Sequence, residues 1–262
     1  MKTLIVGLGF GQLYKKIYES MGAEIITVDT DQSTKPDFVE ITTAIEAHPQ
    51  FDTAHICTPN RTHFALAKKL SGHSKIVFIE KPGVQNVAQW TALTHDKKTK
   101  YVMTKNNQYR DNIGEMANLG HKMSNIELNW KNNNRIPSPG SWFTNKHLAF
   151  GGVSRDLLPH MLSLLIVLSP TDYELYNVID KRVEQRYRLE DCTDTDYGKV
   201  KEDGIYDVDD NVYLKLVGPN NVIKINTAWR TDEDDDIAVH MYKGEIKFRT
   251  YPLGLCPEEA YK

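Results

Sequence analysis

Three polar residues have types and spacings that suit acid–base chemistry and the binding of an oxygen atom. Asp156 and His160 are four positions apart, which places both side chains on one face of a helix. A carboxylate next to an imidazole fixes the ring and lets it transfer a proton near neutral pH. Lys81 lies just beyond an apolar run, where a partly desolvated lysine can hold a hydroxyl or carbonyl oxygen.

Each of these residues also has a purely structural interpretation. Lys81 is equally compatible with a surface position at the end of a strand. Asp156 could be the N-cap of the helix, because Pro159 is tolerated only in a first turn. His160 precedes a run of apolar residues and fits a hydrogen-bonded histidine of the core. The local pattern leaves both interpretations open.

A glycine-rich segment predicts a second kind of chemistry, the binding of a dinucleotide. Gly7, Gly9, Phe10 and Gly11 connect an apolar run to an amphipathic helix, so the backbone can approach a pyrophosphate at the helix N-terminus. Asp29 ends the next apolar run, where a carboxylate accepts hydrogen bonds from an adenosine ribose and repels a 2′-phosphate. We therefore predict that NAD is the cofactor.

Two departures leave alternatives to this prediction. Gln12 stands where the usual G-x-G-x-x-G pattern has its third glycine, which serves close packing of helix against strand. Ser33 and Lys35 follow Asp29 and could still accommodate a phosphate, which leaves NADP open. The structural alternative to dinucleotide binding is a tight strand-to-helix turn with a surface aspartate.

Apolar runs alternate with helical segments as far as about residue 105. The predicted strands are 4–6, 25–29, 38–41, 53–57, 76–79 and 101–104, and the predicted helices are 12–18, 43–48, 61–70 and 86–94. This alternation predicts an α/β domain over residues 1–105 with a doubly wound parallel sheet. Ligands bind beyond the carboxyl ends of such strands, where the sequence places three polar motifs. They are the glycine loop, Thr58-Pro59-Asn60 with His63, and Glu80-Lys81-Pro82.

The pattern changes over residues 106–262, which we predict to form an α+β domain. A helix at 113–123, a strand at 125–130 and a loop at 131–141 precede Gly151-Gly152 and an apolar helix at 157–168, stopped by Pro170. Alternating runs at 212–216 and 223–229, and at 237–242 and 245–249, predict two hairpins of a mostly antiparallel open sheet. Asp232 to Asp236 is an acidic run, which is typical of a solvated loop.

Composition narrows the class of protein. The net charge of -3 gives no electrostatic reason to expect a nucleic acid or an anionic membrane as partner. Cys57, Cys192 and Cys256 show no pairing pattern, which suits a reducing compartment, and no cluster has metal-ligand spacing. No stretch reaches membrane-spanning length, and the first apolar run is too short for a signal peptide. We expect a soluble, cytoplasmic protein without a metal.

Taken in order, the motifs resemble those of the Gfo/Idh/MocA oxidoreductases. The glycine loop, Thr-Pro-Asn with a later His, Glu-Lys-Pro, and Gly-Gly with a later Asp-x-x-x-His follow one another over residues 7–160. The resemblance implies an N-terminal Rossmann domain and a C-terminal domain with an open antiparallel sheet. It also implies transfer of a hydride between a nicotinamide cofactor and a hydroxyl or carbonyl group, usually of a sugar or cyclitol.

The resemblance further implies roles for individual residues. Lys81 would contact the substrate oxygen, His160 would be the acid and base, and Asp156 would hold the substrate. The remaining residues would line the cofactor or edge the pocket: Thr58, Pro59, Asn60, His63 and Glu80 at the cofactor, Trp142 at the cofactor–substrate junction, and Asn107, Tyr109 and Arg110 at the pocket edge. Phe143 replaces the arginine that usually accompanies the tryptophan, which puts that cofactor contact in doubt.

Three classes of function stay open at this point. The first is an enzyme that acts on a sugar, cyclitol or sugar derivative. The second is a dinucleotide-binding regulator or scaffold without catalysis, which Gln12 and Phe143 would allow. The third is a reductase for a non-sugar ligand. In each case we expect a homo-oligomer formed through the C-terminal sheet, because its strands have one apolar face and helices could cover only one side.

Overall fold

The computed structural model describes residues 1–168 and 173–253. These residues form two compact units, Met1–Thr104 and the part of the chain from Lys105 onward. The predicted helix stop at Pro170 and the third cysteine, Cys256, lie outside the described residues. Cys57 and Cys192 are both free thiols.

The N-terminal unit is a five-stranded parallel sheet in the order β2-β1-β3-β4-β5. Its strands are β1 (Lys2–Val6), β2 (Glu24–Val28), β3 (Phe51–Ile56), β4 (Ser74–Ile79) and β5 (Lys100–Met103). Its helices are α1 (Leu8–Ser20), α2 (Ile41–Ala47), α3 (His63–Lys69) and α4 (Val87–Thr94). Separate apolar clusters contain Leu4 and Ile5, whose side chains alternate across the sheet. The predicted doubly wound α/β fold is confirmed.

The strand predicted at 38–41 is wrong. Phe38 makes a single bridge to Val28, and Ile41 already begins α2. The Asp37 carboxylate accepts hydrogen bonds from the N–H and the hydroxyl of Thr27, which ties this segment to β2 at one point. Ile41 buries its side chain from a helix instead, so apolar residues in so short a run did not distinguish the two structures.

The C-terminal unit is built on a six-stranded sheet in the order β11-β10-β6-β9-β8-β7. Its strands are β6 (Asn125–Lys131), β7 (Asn177–Glu184), β8 (Asn211–Val217), β9 (Val222–Ala228), β10 (Asp236–Lys243) and β11 (Ile246–Pro252). Its helices are α5 (Ile113–Gly120), α6 (Lys146–Ala149), α7 (Val153–Asp156) and α8 (Leu158–Leu168). Among the described strands of this sheet, only β6 and β9 pair in parallel, so the prediction of a mostly antiparallel sheet is confirmed.

The two faces of this sheet differ in chemistry. Val212, Leu214 and Leu216 of β8 are buried in one cluster with Ile223 and Ile225 of β9. The same cluster contains apolar residues of α8, namely Met161, Leu164, Leu165 and Leu168. The alternate residues on the other face are polar and half-buried: Tyr213, Lys215, Lys224 and Asn226. The strand alternation therefore correctly identified the core face.

β7 is the strand that the sequence pattern did not mark. It has mostly exposed residues on both faces, so its sequence lacks the alternation that marks a half-buried strand. The helix predicted at 157–168 is confirmed as α8 (Leu158–Leu168), and a separate short helix, α7, ends at Asp156 just before it. Pro159 has no N–H to donate to the carbonyl of Arg155, so one continuous helix cannot pass through it.

Two properties of the described residues bear on membranes and metals as partners. Within the described residues, no single helix is long and apolar enough to cross a membrane. The bent pair of segments 146–156 and 158–168 has the necessary length and composition, and nothing else indicates a span there. Among the same residues, no group of three or more His, Cys, Asp or Glu side chains could hold a metal ion.

Candidate active site

The glycine loop joins β1 to α1 in a turn that leaves no room for a side chain at Gly7 or Gly11. Gly7 has a φ of 90°, and a Cβ there would lie 2.7 Å from the carbonyl oxygen of Cys57. A Cβ on Gly11 would lie 2.8 Å from Ile5 of β1, whereas one on Gly9 would meet nothing within 4 Å. Gly11 thus allows the close helix–strand approach for which Gln12 is unsuited, and Gly9 leaves the backbone open to a ligand.

The carboxylate of Asp29, directly after β2, is held against this loop. Its Oδ2 accepts a hydrogen bond from the Leu8 N–H at 2.5 Å, and its Oδ1 accepts one from the Asp31 N–H at 2.9 Å. Hydrogen bonds from Ser33 hold the pKa of the neighbouring Asp31 carboxyl below its ordinary value. Two carboxylates at this position fit the hydroxyls of a ribose and disfavour a 2′-phosphate.

The Thr58-Pro59-Asn60 turn follows β3 and leads into α3. His63 begins α3 and is 0% exposed. Its Nε2 lies 2.7 Å from the Thr58 carbonyl oxygen, and its Nδ1 lies 2.9 Å from that of Gly83. Burial lowers the pKa of His63 although both of these hydrogen bonds act to raise it. Since the ring has no exposed surface, we assign His63 a structural role: it connects the turn at Thr58 to the turn at Gly83.

The Glu80-Lys81-Pro82 turn follows β4 at the same edge of the sheet. The Lys81–Pro82 peptide bond is cis. The Glu80 N–H donates to the carbonyl of Ile56 at 3.0 Å, and the Gly83 N–H donates back to the carbonyl of Glu80 at 2.8 Å. Lys81 is half-buried there, as expected for a lysine at the end of a covered strand.

Tyr14, on the buried face of α1, and His55 of β3, which packs against that face, were missed by the sequence reasoning. The Tyr14 hydroxyl donates to Oε1 of Glu80 at 2.6 Å, so that carboxylate points under the helix. The Tyr18 hydroxyl is hydrogen-bonded to Nε2 of His55 at 2.9 Å, and the His55 ring stacks on Phe78. Burial lowers the pKa of His55 to about 3. The sequence signal was the pair of tyrosines on the apolar face of α1.

The Gly151-Gly152 pair forms the start of α7 in the C-terminal unit. The Asp209 carboxylate accepts hydrogen bonds from the Gly152 N–H, the Ser154 N–H and the Ser154 hydroxyl, and its carbonyl accepts one from Val153. A Cβ on Gly152 would overlap that carbonyl oxygen. Asp209 therefore fixes the turn that precedes Asp156, a role that no local motif indicated.

Asp156 and His160 lie on two different helices, so the predicted shared helical face is wrong. The segment that ends at Asp156 is bent by 41° relative to α8, which carries His160. Oδ2 of Asp156 accepts a hydrogen bond from the indole N–H of Trp229 at 2.8 Å. The His160 ring stacks on Trp130, with ring centroids 5.2 Å apart and an interplanar angle of 29°.

These two tryptophans share one edge of the sheet. Trp130 pairs with Thr227 in the parallel ladder between β6 and β9, and Trp229 directly follows β9. Both therefore lie at the carboxyl ends of the one parallel pair in the described part of this sheet. This pairing brings an indole to each of the two predicted catalytic side chains, Asp156 and His160.

The other predicted residues of the C-terminal unit differ in exposure. Trp142 stacks on Phe143, with ring centroids 3.9 Å apart, so the residue that replaces the expected arginine supports the indole. Asn107 and Arg110 are buried, and Nε of Arg110 donates to Oδ1 of Asn107 at 2.7 Å. Tyr109 is 70% exposed between them. Of this segment, Tyr109 is the side chain accessible to a ligand.

The predicted site residues are thus divided between the two units. In the N-terminal unit, the structure brings Asp29 to the glycine loop and connects the Thr58 turn to the Lys81 turn through His63. In the C-terminal unit, each of the two predicted catalytic side chains contacts one tryptophan: Asp156 is hydrogen-bonded to Trp229, and His160 stacks on Trp130. The first group suits a dinucleotide, and the second suits proton transfer.

The fold and the loop define a Rossmann dinucleotide-binding domain joined to an α+β domain. Residues 1–107 match the GFO_IDH_MocA family, described as an oxidoreductase family with an NAD-binding Rossmann fold. The N-terminal unit is therefore similar to the Rossmann domain of the Gfo/Idh/MocA oxidoreductases. This confirms the predicted resemblance, the Rossmann fold and its predicted cofactor, NAD.

Known proteins resemble both halves of the chain. A relative from Amycolatopsis mediterranei (strain S699), named as an oxidoreductase subunit of UDP-kanosamine synthase, is 27% identical over 185 residues. That match covers 64% of this chain and 51% of the relative, so the chain spans about half the length of this curated relative.

Two solved structures share the fold. GenD2 from gentamicin A biosynthesis, in complex with NAD, superposes with a TM-score of 0.74 at 16% identity, over 94% of this chain and 71% of that one. The WlbA dehydrogenase from Chromobacterium violaceum, in complex with NADH and UDP-GlcNAcA, gives a TM-score of 0.72 at 13% identity, over 93% and 71%. At these identities the likeness shows the fold alone.

Proposed function

We propose that this chain is an NAD-dependent oxidoreductase that acts on a hydroxyl or carbonyl group of a sugar, cyclitol or sugar derivative. The observation that carries the proposal is the Asp29 carboxylate, which the Leu8 N–H holds at the start of α1 in a loop of the oxidoreductase family. The names of the relatives, among them a UDP-kanosamine synthase subunit and a dehydrogenase crystallised with a UDP-sugar, support the substrate class.

The residues of the N-terminal unit fit the cofactor. Gly7 and Gly11 make the loop tight, Gly9 leaves its backbone open, and Asp29 presents a carboxylate to a ribose. The cofactor contacts that we propose on the family resemblance are Phe10, Thr58, Pro59, Asn60, Glu80, Lys81 and Trp142. When bound, the cofactor supplies the hydride acceptor or donor.

The protein side chains bind the substrate and move its proton. Lys81 donates a hydrogen bond from Nζ to the oxygen of the reacting carbon and stabilises the negative charge that grows there. His160 accepts the hydroxyl proton in the oxidative direction and returns it in the reductive one. The Trp130 ring limits the orientation of that imidazole. Asp156, held by Trp229, accepts a hydrogen bond from the substrate, and Tyr109 contacts its exposed side.

A single-turnover fluorescence experiment tests this function. The protein is loaded with NADH, or separately with NADPH, and mixed with keto-sugars, inososes and non-sugar carbonyl compounds. We expect loss of the reduced-cofactor signal with NADH and one sugar-like compound. Binding of NADH without turnover across the panel favours a regulator, and turnover with a non-sugar carbonyl alone favours the third class of function. If neither cofactor binds, the proposal fails.

We also propose that a second copy of this chain covers the polar face of the C-terminal sheet. The charges on this face are paired within the chain, for example Arg182 with Asp180 and Lys224 with Glu127. A two-fold axis would place this polar face against its own copy. A groove of about 470 Å³, lined by Arg182, Tyr213 and Asn226 among others, could receive a partner side chain. A monomer mass by light scattering would exclude this dimer.

A further inference from the structure

Tyr14 makes a hydrogen bond that links the helix of the glycine loop to the turn that carries Lys81. α1 begins directly after Gly7, and Tyr14 lies on its buried face, 3% exposed. The Tyr14 hydroxyl donates to Oε1 of Glu80 at 2.6 Å. A hydrogen bond to a carboxylate is about twice as strong as one between neutral groups.

Glu80 is held at three points by this arrangement. Its N–H donates to the carbonyl of Ile56 in β3, and its carbonyl accepts from the N–H of Gly83. Tyr14 fixes its side chain from α1. Lys81 is the next residue in the chain, so its backbone cannot move independently of these contacts.

We infer that Tyr14 is a positioning residue for Lys81, which it orients by fixing Glu80. The catalytic part of this inference rests on the proposed function, because that is what assigns Lys81 to the substrate oxygen. The geometric part does not, since it concerns only the mobility of the Glu80 turn. Tyr14 acts through Glu80 and need not touch substrate or cofactor.

Tyr18 provides a matched control on the same helix. It lies four residues after Tyr14 and is also buried, but its hydroxyl is hydrogen-bonded to Nε2 of His55. Tyr14→Phe and Tyr18→Phe each remove one buried hydroxyl and keep the ring. A role of Tyr14 in packing alone would make the two variants alike, whereas a role through Glu80 makes them different.

Hydrogen exchange measured by mass spectrometry on the apo protein tests the geometric part. For Tyr14→Phe we expect the peptide that spans residues 79–84 to exchange about tenfold faster, the effect of losing one hydrogen bond to a charged group. For Tyr18→Phe we expect exchange of this peptide to change no more than that of β1. Glu80→Gln keeps an acceptor oxygen for Tyr14. The peptide that spans residues 79–84 should therefore exchange more slowly in Glu80→Gln than in Glu80→Ala.

Kinetics separate this inference from the proposed function. With a substrate from the carbonyl panel, Tyr14→Phe should lower kcat about tenfold at an unchanged Kd for NADH, and Tyr18→Phe should not. Equal exchange of residues 79–84 in the two tyrosine variants overturns the inference, whatever the activity. Faster exchange in Tyr14→Phe alone, in a protein that turns over no carbonyl, supports the positioning and overturns only the proposed function.

Discussion

The indole N–H of Trp229 donates a hydrogen bond to Oδ2 of Asp156 across 2.8 Å. An indole N–H can only donate, so it stabilises the ionised carboxylate and fixes the direction of its oxygens. Trp229 is 1% exposed, and its backbone N–H donates to the carbonyl of Asp210. An ionised carboxylate only accepts hydrogen bonds, so under the proposed function we expect the substrate group that Asp156 binds to be a donor, such as a hydroxyl or an amine.

Trp229→Phe should therefore impair catalysis more than folding. The phenyl ring keeps most of the buried area but cannot donate to Asp156, so we expect kcat/KM to fall about tenfold, the effect of one lost hydrogen bond to a charged group. Trp90→Phe in α4 is the control, because Trp90 packs against an apolar cluster of the N-terminal unit. Equal losses of kcat/KM in two variants of equal thermal stability would contradict this role.

Lys81→Ala tests the residue at the centre of the proposed chemistry. Loss of the Nζ donor removes an interaction that strengthens as charge grows on the substrate oxygen, so turnover should fall by ~10²-fold or more. The Kd for NADH, measured by fluorescence titration, should change little by comparison, because Lys81 is one of several proposed cofactor contacts. Lys75→Ala in β4, the strand that precedes Lys81, is the control, since Lys75 pairs with Asp52 on the surface. Unchanged turnover in Lys81→Ala would remove Lys81 from the mechanism.

The preference for NAD depends on the carboxylate of Asp29. Asp29→Ser removes the charge that repels a 2′-phosphate, so we expect the Kd for NADPH to decrease and the Kd for NADH to increase. Asp52→Ser removes the same charge near the start of β3, where Asp52 accepts from the Lys2 N–H, and should leave both constants unchanged. If the ratio of the Kd for NADPH to the Kd for NADH is the same in Asp29→Ser and Asp52→Ser, another residue determines the preference for NAD.

The sequence identified most elements because their patterns are local. Alternation in β8 and β9 and the apolar run of β4 follow from which face each residue buries. The failures arose where a distant residue determined the structure. Asp37 holds the segment before α2 at Thr27, and Asp209 fixes the start of α7 from more than fifty positions away. Apolar periodicity does not show that Asp37 turns back to Thr27, and no short window of sequence contains both Asp209 and the start of α7.

The candidate site was predicted unequally for the same reason. Asp29 follows its glycine loop at a spacing that the β-α-β unit imposes, so it could be identified directly. Trp229 and Trp130 support Asp156 and His160 only because β6 and β9 pair in parallel, an arrangement that the hairpin pattern did not indicate. Tyr14 likewise reaches Glu80 only through the packing of α1 on the sheet.

His55 should make the stability of the protein depend on pH. Burial lowers its pKa to about 3, below the ordinary value of 6.5 that applies to the unfolded chain. The unfolded state therefore binds more protons between these two values, and stability should be constant above pH 6.5 and fall as the pH decreases toward 3. The slope for one such group approaches about 1.4 kcal/mol per pH unit.

Urea unfolding at several pH values measures this contribution. His55→Phe should reduce the slope of stability between pH 6.5 and 4 relative to the unmodified protein. Part of the slope should remain, because burial also lowers the pKa of His63. His95→Gln, which alters an exposed ring after α4, should retain the full slope. An identical slope in His55→Phe would mean that His55 titrates in the folded state as it does in the unfolded one.

Gly152→Ala tests the turn that orients Asp156. Its Cβ would overlap the carbonyl oxygen of Asp209, which accepts the Val153 N–H at the first residue of α7. Since backbone lies on both sides, the clash must displace Asp209 or the start of the helix. We expect a lower midpoint of thermal unfolding and a loss of activity that exceeds the unfolded fraction, because Asp156 lies one turn further along.

Gly114→Ala is the comparison that separates this clash from the general effect of the substitution. Gly114 lies in α5, and a Cβ there meets nothing within 4 Å. Alanine in a helix is favoured over glycine by roughly 0.5–1 kcal/mol, so this variant should be as stable as the unmodified protein or slightly more stable. If Gly152→Ala behaves in the same way, the Asp209 contact does not constrain the turn, and the orientation of Asp156 must come from Trp229 alone.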